Sequence, residues 1–239
     1  MISPIGVAGF CLLSALSADN DDAARASRPF DATRNGFLLG EGAGFCRARG
    51  VGSGARARRA HLRRARGRRQ FVVELSDHRL AARRRRTDPG DARRRWPTRA
   101  PTTGDIDYIN AHGTSTSMND RSESAAIHAV FGDDAKRVAT SSTKSTMGHL
   151  IAAAGAVEVV VCALAIDRGE MPVNANLRDR DPDCDLNLVV DAPRRQRIRM
   201  TMSNSFGFGG SNSCIVMRHP EEVDGRAGRA DAASPRSAS

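Results

Sequence analysis

From Leu150 to Ile166 the chain runs seventeen residues with Glu158 as its only charge. A segment this apolar must be covered on most sides. It is too short to span a bilayer, and the acid at its centre argues against one, so it reads as a buried core helix. Asp167-Arg168-Gly169 then ends it with a glycine C-cap. The flanking sequence supplies what such a helix packs on. Ile106 to Ala111 alternates as a strand, and Val138-Ala139-Thr140-Ser141 reads as a second. Further strands are expected around Leu186–Val190, Met200–Met202 and Cys214–Met217. Asn119 or Asp120 would cap a helix ending at Phe131, with Ala126, Ile127, Val130 and Phe131 on its apolar side. Near the start, Pro4 to Leu16 reads as a short helix of small and apolar residues.

Charge divides the chain. It carries a formal +10 over 239 residues, with 37 basic residues, of which only Lys136 and Lys144 are lysines. Nineteen arginines and four acids fall within residues 47–99, so this tract more than accounts for the net charge. Arg83–Arg86 and Arg93–Arg95 show no helical or strand period, and only Phe71–Leu75 resembles a short strand. Three readings compete: a nucleic-acid-binding arm, a solvated disordered insert, and a stretch translated out of frame from GC-rich DNA. Five scattered cysteines form no CxxC pair, as expected of reduced thiols in an intracellular protein. The opening Met1-Ile2-Ser3-Pro4 has no basic region before an apolar run, so a secretory signal is not expected. From His219 onward Gly, Ala, Ser, Arg and Asp dominate, and 219–239 reads as a disordered tail.

The chemistry-bearing residues sit where strands give way to loops. His112 follows the first strand, within His112-Gly113-Thr114-Ser115-Thr116. Lys144 and His149 follow the second, within Ser142–His149. In α/β sheets that edge is where ligands and chemistry collect. Two histidines and a lysine there point to proton transfer or to stabilising developing negative charge. Neutral imidazole N–H groups can polarise a thioester carbonyl, and a lysine tunes their protonation. Gly207-Phe208-Gly209-Gly210 could aim backbone N–H groups at an oxyanion. No HExxH and no Cys/His cluster is present, so no metal is expected.

His112-Gly113-Thr114-Ser115-Thr116, Thr143-Lys144-Ser145-x-x-Gly148-His149 and Asn204-Ser205-Phe206-Gly207-Phe208-Gly209-Gly210, in that order, resemble the β-ketoacyl-[acyl-carrier-protein] synthases. The resemblance is nearest to the elongating type II fatty-acid enzymes. Ser27–Asp31 and Phe37–Gly44 resemble the family's SRPFD and GFxxGEGAG stretches. It implies a thiolase-like fold, a layered α/β/α/β/α duplication, of which this chain would be mainly the C-terminal half. It implies a 3-oxoacyl-[acyl-carrier-protein] synthase of fatty acid biosynthesis, an acyltransferase joining an acyl thioester to malonyl-acyl carrier protein with loss of carbon dioxide. A cytoplasmic homodimer is implied, with acyl carrier protein as partner. No cofactor is implied beyond the carrier's phosphopantetheine, and neither nucleic acid nor membrane. His112 and His149 match the paired histidines that bind the malonyl thioester, Lys144 the lysine that orders the site, and Glu158 the buried acid on the next helix. Thr114 and Thr116 match residues lining the pantetheine channel. Phe206 and Phe208 match substrate-side aromatics, Phe208 being the gate, and Gly207 and Gly209 belong to the loop that supplies an oxyanion N–H.

Two departures shape the expectation. The family's nucleophilic cysteine lies tens of residues upstream of Met1, and none of the five cysteines here matches it. The chain then reads as truncated and inactive in complete condensation on its own. The resemblance also breaks near Phe45 and resumes at Gly104, yet the spacing between Gly44 and His112 is about the family's own. Equal length with unrelated residues favours a slip of reading frame over a functional basic arm. The expected organisation is thus 1–46, a remnant of the middle region; 47–103, arginine-rich, out of frame and disordered; 104–218, the C-terminal ketosynthase domain; and 219–239, the tail. Alternatives are a polyketide-type ketosynthase, a degenerate subunit that only decarboxylates, and a non-enzymatic binder of nucleic acid.

Overall fold

The computed structural model describes residues 2–46 and 101–219, and between them the strand Val72–Ser76. Apart from that strand, the expectations for 47–99 lie outside the described residues, as do those for the tail from 220 onward. The elements in chain order are α1 (Pro4–Leu12), β1 (Val72–Ser76), β2 (Tyr108–Asn110), α2 (Ser117–Phe131), β3 (Ala139–Ser141), α3 (Lys144–Met147), α4 (Ala154–Arg168), β4 (Glu170–Met171), β5 (Arg194–Arg195), β6 (Met200–Phe206) and β7 (Asn212–Arg218).

Five strands form one sheet in the order β1-β7-β6-β2-β3, and β4 with β5 form a separate antiparallel pair. Strand β2 runs parallel to both neighbours, Tyr108 lying opposite Ala139 on β3 and Thr201 on β6. The β6–β7 hairpin is antiparallel, with Met200 opposite Arg218 and Phe206 opposite Asn212.

Side-chain alternation distributes the strands between two cores. On one side Ile109, Cys214 and Val216 pack with Ile127 and Phe131 of α2. On the other Tyr108, Ile215 and Met217 pack with Cys162, Ala165 and Ile166 of α4. The sheet is thus sandwiched between helices. The expected core helix is present, its first turn being a 3-10 turn at Ile151–Ala153 and its C-cap Gly169 at φ 62. No helix among the described residues is long and apolar enough to cross a membrane.

Several local expectations need correcting. Helix α2 starts earlier than expected: Thr116 is its N-cap, accepting from the Asn119 amide, because Asp120 is drawn inward to the Phe30 amide and Arg34. Its buried face is Asp120, Glu123, Ser124, Ile127 and Phe131, while Ala126 and Val130 face outward. The segment 186–190 is no ladder strand; it meets β3 through a single bridge, Leu188 opposite Thr140. Helix α1 stops at Leu12, and Leu16 instead pairs with Phe37.

Candidate active site

Because β2, β3 and β6 are parallel, their carboxyl ends (Asn110, Ser141 and Phe206) share one edge of the sheet. The loops leaving that edge bring His112 and His149 together, with ring centroids 5.4 Å apart and planes nearly perpendicular at 85°. Phe206 stands 5.6 Å from the His112 ring, and Phe37 5.0 Å from that of His149.

Each histidine is held by its backbone. The His149 N–H donates to the Leu38 carbonyl at 2.7 Å, and its carbonyl accepts from Gly40 at 3.0 Å. The approach is so close that a Cβ on Gly40 would lie 2.2 Å from the Met147 carbonyl oxygen, which requires glycine there. The Ile151 amide donates to His149 Nδ1 at 3.0 Å. Nδ1 is therefore an acceptor, and in the neutral ring the proton sits on Nε2. Ile151 adopts φ 52 to do so, a costly conformation for a β-branched residue and one that active sites retain.

The His112 loop is held by Glu123. Its carboxylate accepts from the amides of His112 (2.9 Å) and Gly113 (2.8 Å) and from Asn204 Nδ2 (3.0 Å). Burial nevertheless raises the Glu123 carboxyl above the usual range. Sequence reasoning missed this residue. The available signal was an acid four residues before Ile127 and eight before Phe131, on the stripe that faces the sheet.

Lys144 Nζ pairs with Glu158 Oε1, both side chains being buried. Glu158 Oε2 and Asn204 Oδ1 are buried without a hydrogen-bond partner. Burial, then the Lys144 charge and His149, lower the His112 imidazole to about 2. Burial and Lys144 lower His149 to about 3. Both rings are therefore neutral near pH 7, and each keeps one N–H that can donate to a carbonyl oxygen.

The remaining expected residues are placed as follows. Thr114 Oγ1 and Thr116 Oγ1 share a hydrogen bond of 2.9 Å beside the α2 cap. The Gly207 amide donates to the Ser211 carbonyl at 2.7 Å, so it closes the β6–β7 turn and is not a free oxyanion donor. Gly209, at φ 77, lets that turn reverse, and Phe208 is 75 % exposed. Cys162, Cys184 and Cys214 are buried, and burial pushes the Cys162 thiol up to about 12, while Cys11 and Cys46 are exposed.

The Ser27–Asp31 stretch is a clamp on this site. Ser27 Oγ donates to the Lys144 carbonyl at 2.9 Å, and the Phe30 amide donates to Asp120 at 2.8 Å. Arg34 donates to the Thr116 and Ser117 carbonyls at 3.1 and 3.0 Å and pairs with Asp181 at 2.7 Å.

A sheet sandwiched by helices, with paired imidazoles and a buried lysine at one carboxyl edge, defines a class of α/β proteins equipped to polarise a carbonyl. Residues 90–178 match the family described as β-ketoacyl synthase, C-terminal domain. The chain is 42% identical over 225 residues to the tetracenomycin polyketide synthase ketoacyl synthase alpha subunit of Streptomyces glaucescens, covering 93% of this chain and 52% of that protein. It is 39% identical over 227 residues to the 3-oxoacyl-[acyl-carrier-protein] synthase 2 of Rhizobium meliloti, covering 91% and 51%. Coverage this high takes in the arginine tract. Among solved structures it resembles AntDE:AntF, a type II PKS acyl-carrier protein in complex with its ketosynthase bound to the hexaketide. There the TM-score is 0.70 at 28% identity, over 91% of this chain and 53% of that one. This chain belongs to the β-ketoacyl synthase family and has its thiolase-like fold. It spans about half the length of the curated relatives it matches.

Proposed function

We propose that the chain carries the malonyl half of a ketosynthase site, binding a malonyl thioester presented by an acyl carrier protein and promoting its decarboxylation. The observation that carries this reading is the pair of neutral imidazoles 5.4 Å apart beside a buried Lys144–Glu158 pair. The thioester carbonyl oxygen accepts a hydrogen bond from His149 Nε2–H. The bond between the malonyl carboxylate and its α-carbon breaks, carbon dioxide leaves, and the electron pair passes into an enolate whose oxygen the N–H stabilises. Lys144, neutralised by Glu158, disfavours protonation of either ring without adding net charge. Condensation then needs an acylated thiol for the carbanion to attack. Cys162, Cys184 and Cys214 are buried and unsuited to that role.

The carrier-protein partner is supported by the resemblance to a ketosynthase whose structure is solved in complex with one. Relatives named for polyketide synthesis favour a polyketide setting. The 3-oxoacyl synthase relatives keep the fatty-acid reading as the second. The test is release of carbon dioxide from malonyl-acyl carrier protein by the full chain. Release that disappears in His149→Ala is expected; none from a folded wild-type chain would contradict the proposal.

A further inference from the structure

Ser142 sits between the two loops that carry the imidazoles, wholly buried, with every polar group committed. Its hydroxyl donates to the Gly113 carbonyl at 2.8 Å and accepts from the Lys144 amide at 3.4 Å. Its carbonyl accepts from Ser145 Oγ at 2.8 Å. Its amide donates to Asn174 Oδ1 at 3.0 Å. The contact is tight, since a Cβ on Gly113 would fall 2.5 Å from Ser142 Cβ.

Asn174 is equally confined. It is buried, its Nδ2 donates to the Pro29 carbonyl at 3.0 Å, and its own amide donates to the Val189 carbonyl at 2.7 Å. The side-chain amide can point only one way, because a flip would set donor against donor and acceptor against acceptor. The next residues extend the brace: the Ala175 amide donates to Ser145 Oγ at 2.9 Å, and Asn176 Nδ2 donates to the Ser27 carbonyl at 2.8 Å.

We infer that Ser142 is a positioning residue that ties the Lys144 turn to the His112 loop, and that Asn174 is the buried anchor that holds Ser142 in register. Neither residue reaches a substrate in this account. They act through the distance between the lysine and the imidazoles. The inference rests on the proposed function of the site, but the geometry is testable apart from turnover. Lys144 is one of the causes that keep His112 and His149 neutral, so a turn that drifts away from the His112 loop lets both rings titrate at higher pH. A serine present only to satisfy a buried carbonyl would lower stability on removal and leave the titration in place.

The experiment uses the full chain and two variants. Ser142→Ala removes both hydroxyl bonds with little change of volume. Asn174→Asp keeps the acceptor for the Ser142 amide but sets an oxygen against the Pro29 carbonyl. Imidazole titration is followed by NMR with labelled histidine, alongside decarboxylation of malonyl-acyl carrier protein. Expected are an upward shift of the His112 and His149 titrations in both variants, and a fall in kcat of about tenfold to a hundredfold with KM within about twofold. If one variant fails to fold, the other decides. Titrations that match the wild type in the folded variants would overturn the inference. If the wild type releases no carbon dioxide while the titrations still shift, the proposed function fails and the positioning role stands.

Discussion

Around the imidazoles, Glu123, Ser142, Lys144 and Asn174 are all buried and hydrogen-bonded, whereas α1 buries none of its residues and leaves Ile5 and Leu12 each 87 % exposed. The two regions are put together in opposite ways. The site is a set of polar side chains withdrawn from water and tied to one another, with only Glu158 Oε2 and Asn204 Oδ1 among its described atoms left without a partner. Helix α1 is apolar on every side, and its Phe10 meets Phe37 edge to face. Stability should therefore respond sharply to single changes at the site and weakly to changes on α1.

The largest expected effect comes from Glu158→Ala, which leaves the Lys144 ammonium buried without its partner. Urea unfolding should show a loss of about 3–5 kcal/mol. Replacing both members of the pair by Met should recover much of that loss while leaving decarboxylation low. A Glu158→Ala chain as stable as the wild type would remove the contrast between the two regions. Glu123→Gln comes next. The amide has one acceptor oxygen where the carboxylate offered two, so a buried N–H of His112, Gly113 or Asn204 loses its partner, at about 1–3 kcal/mol in the same measurement.

Acid is a gentler probe of the same cluster. The folded values of His112 and His149 lie at about 2 and about 3, below the ordinary 6.5 of the unfolded chain. Between those limits the unfolded state binds more protons, so this contribution to stability is complete above about pH 6.5 and is lost as the pH falls through the window. Denaturant midpoints measured at pH 7 and pH 5 should show the fall, and His112→Asn should flatten it. The smallest effect is expected on α1, where Ile5→Ser or Leu12→Ser should change unfolding by less than about 0.5 kcal/mol while reducing self-association in light scattering.

Much of the frame was legible in the sequence because it rests on local signals. The run from Leu150 to Ile166 and Gly169 announce α4, and the alternation at 106–111 announces β2. The strand-to-loop positions of His112, Lys144 and His149 could be read because parallel strands deliver their following loops to one edge. What stayed hidden depends on partners far apart in the chain. Glu123 carries no local sign of its role, since nothing beside it in the chain shows that Asn204 Nδ2 lies 3.0 Å from its carboxylate. Asn174 sat in a loop of Asp, Asn and Pro with no period, although it joins Pro29 to Ser142. The glycines of 207–210 read as a loop able to aim backbone N–H groups at an oxyanion, but the Gly207 amide is taken by the Ser211 carbonyl as the β6–β7 hairpin closes. Thr116 displaced Asn119 and Asp120 as the α2 cap, because Asp120 is drawn inward to the Phe30 amide and Arg34.

The state of the two imidazoles held by this chain's own loops, both neutral and with the His149 proton on Nε2, is what the site depends on. It is tested most directly by nitrogen–proton correlation spectra of the labelled imidazoles in the full chain, recorded from pH 8 to pH 4. Both rings are expected to stay neutral throughout, with His149 as the Nε2–H tautomer and its Nδ1 as acceptor. Titration of either ring near pH 6.5, or a proton found on His149 Nδ1, would contradict it.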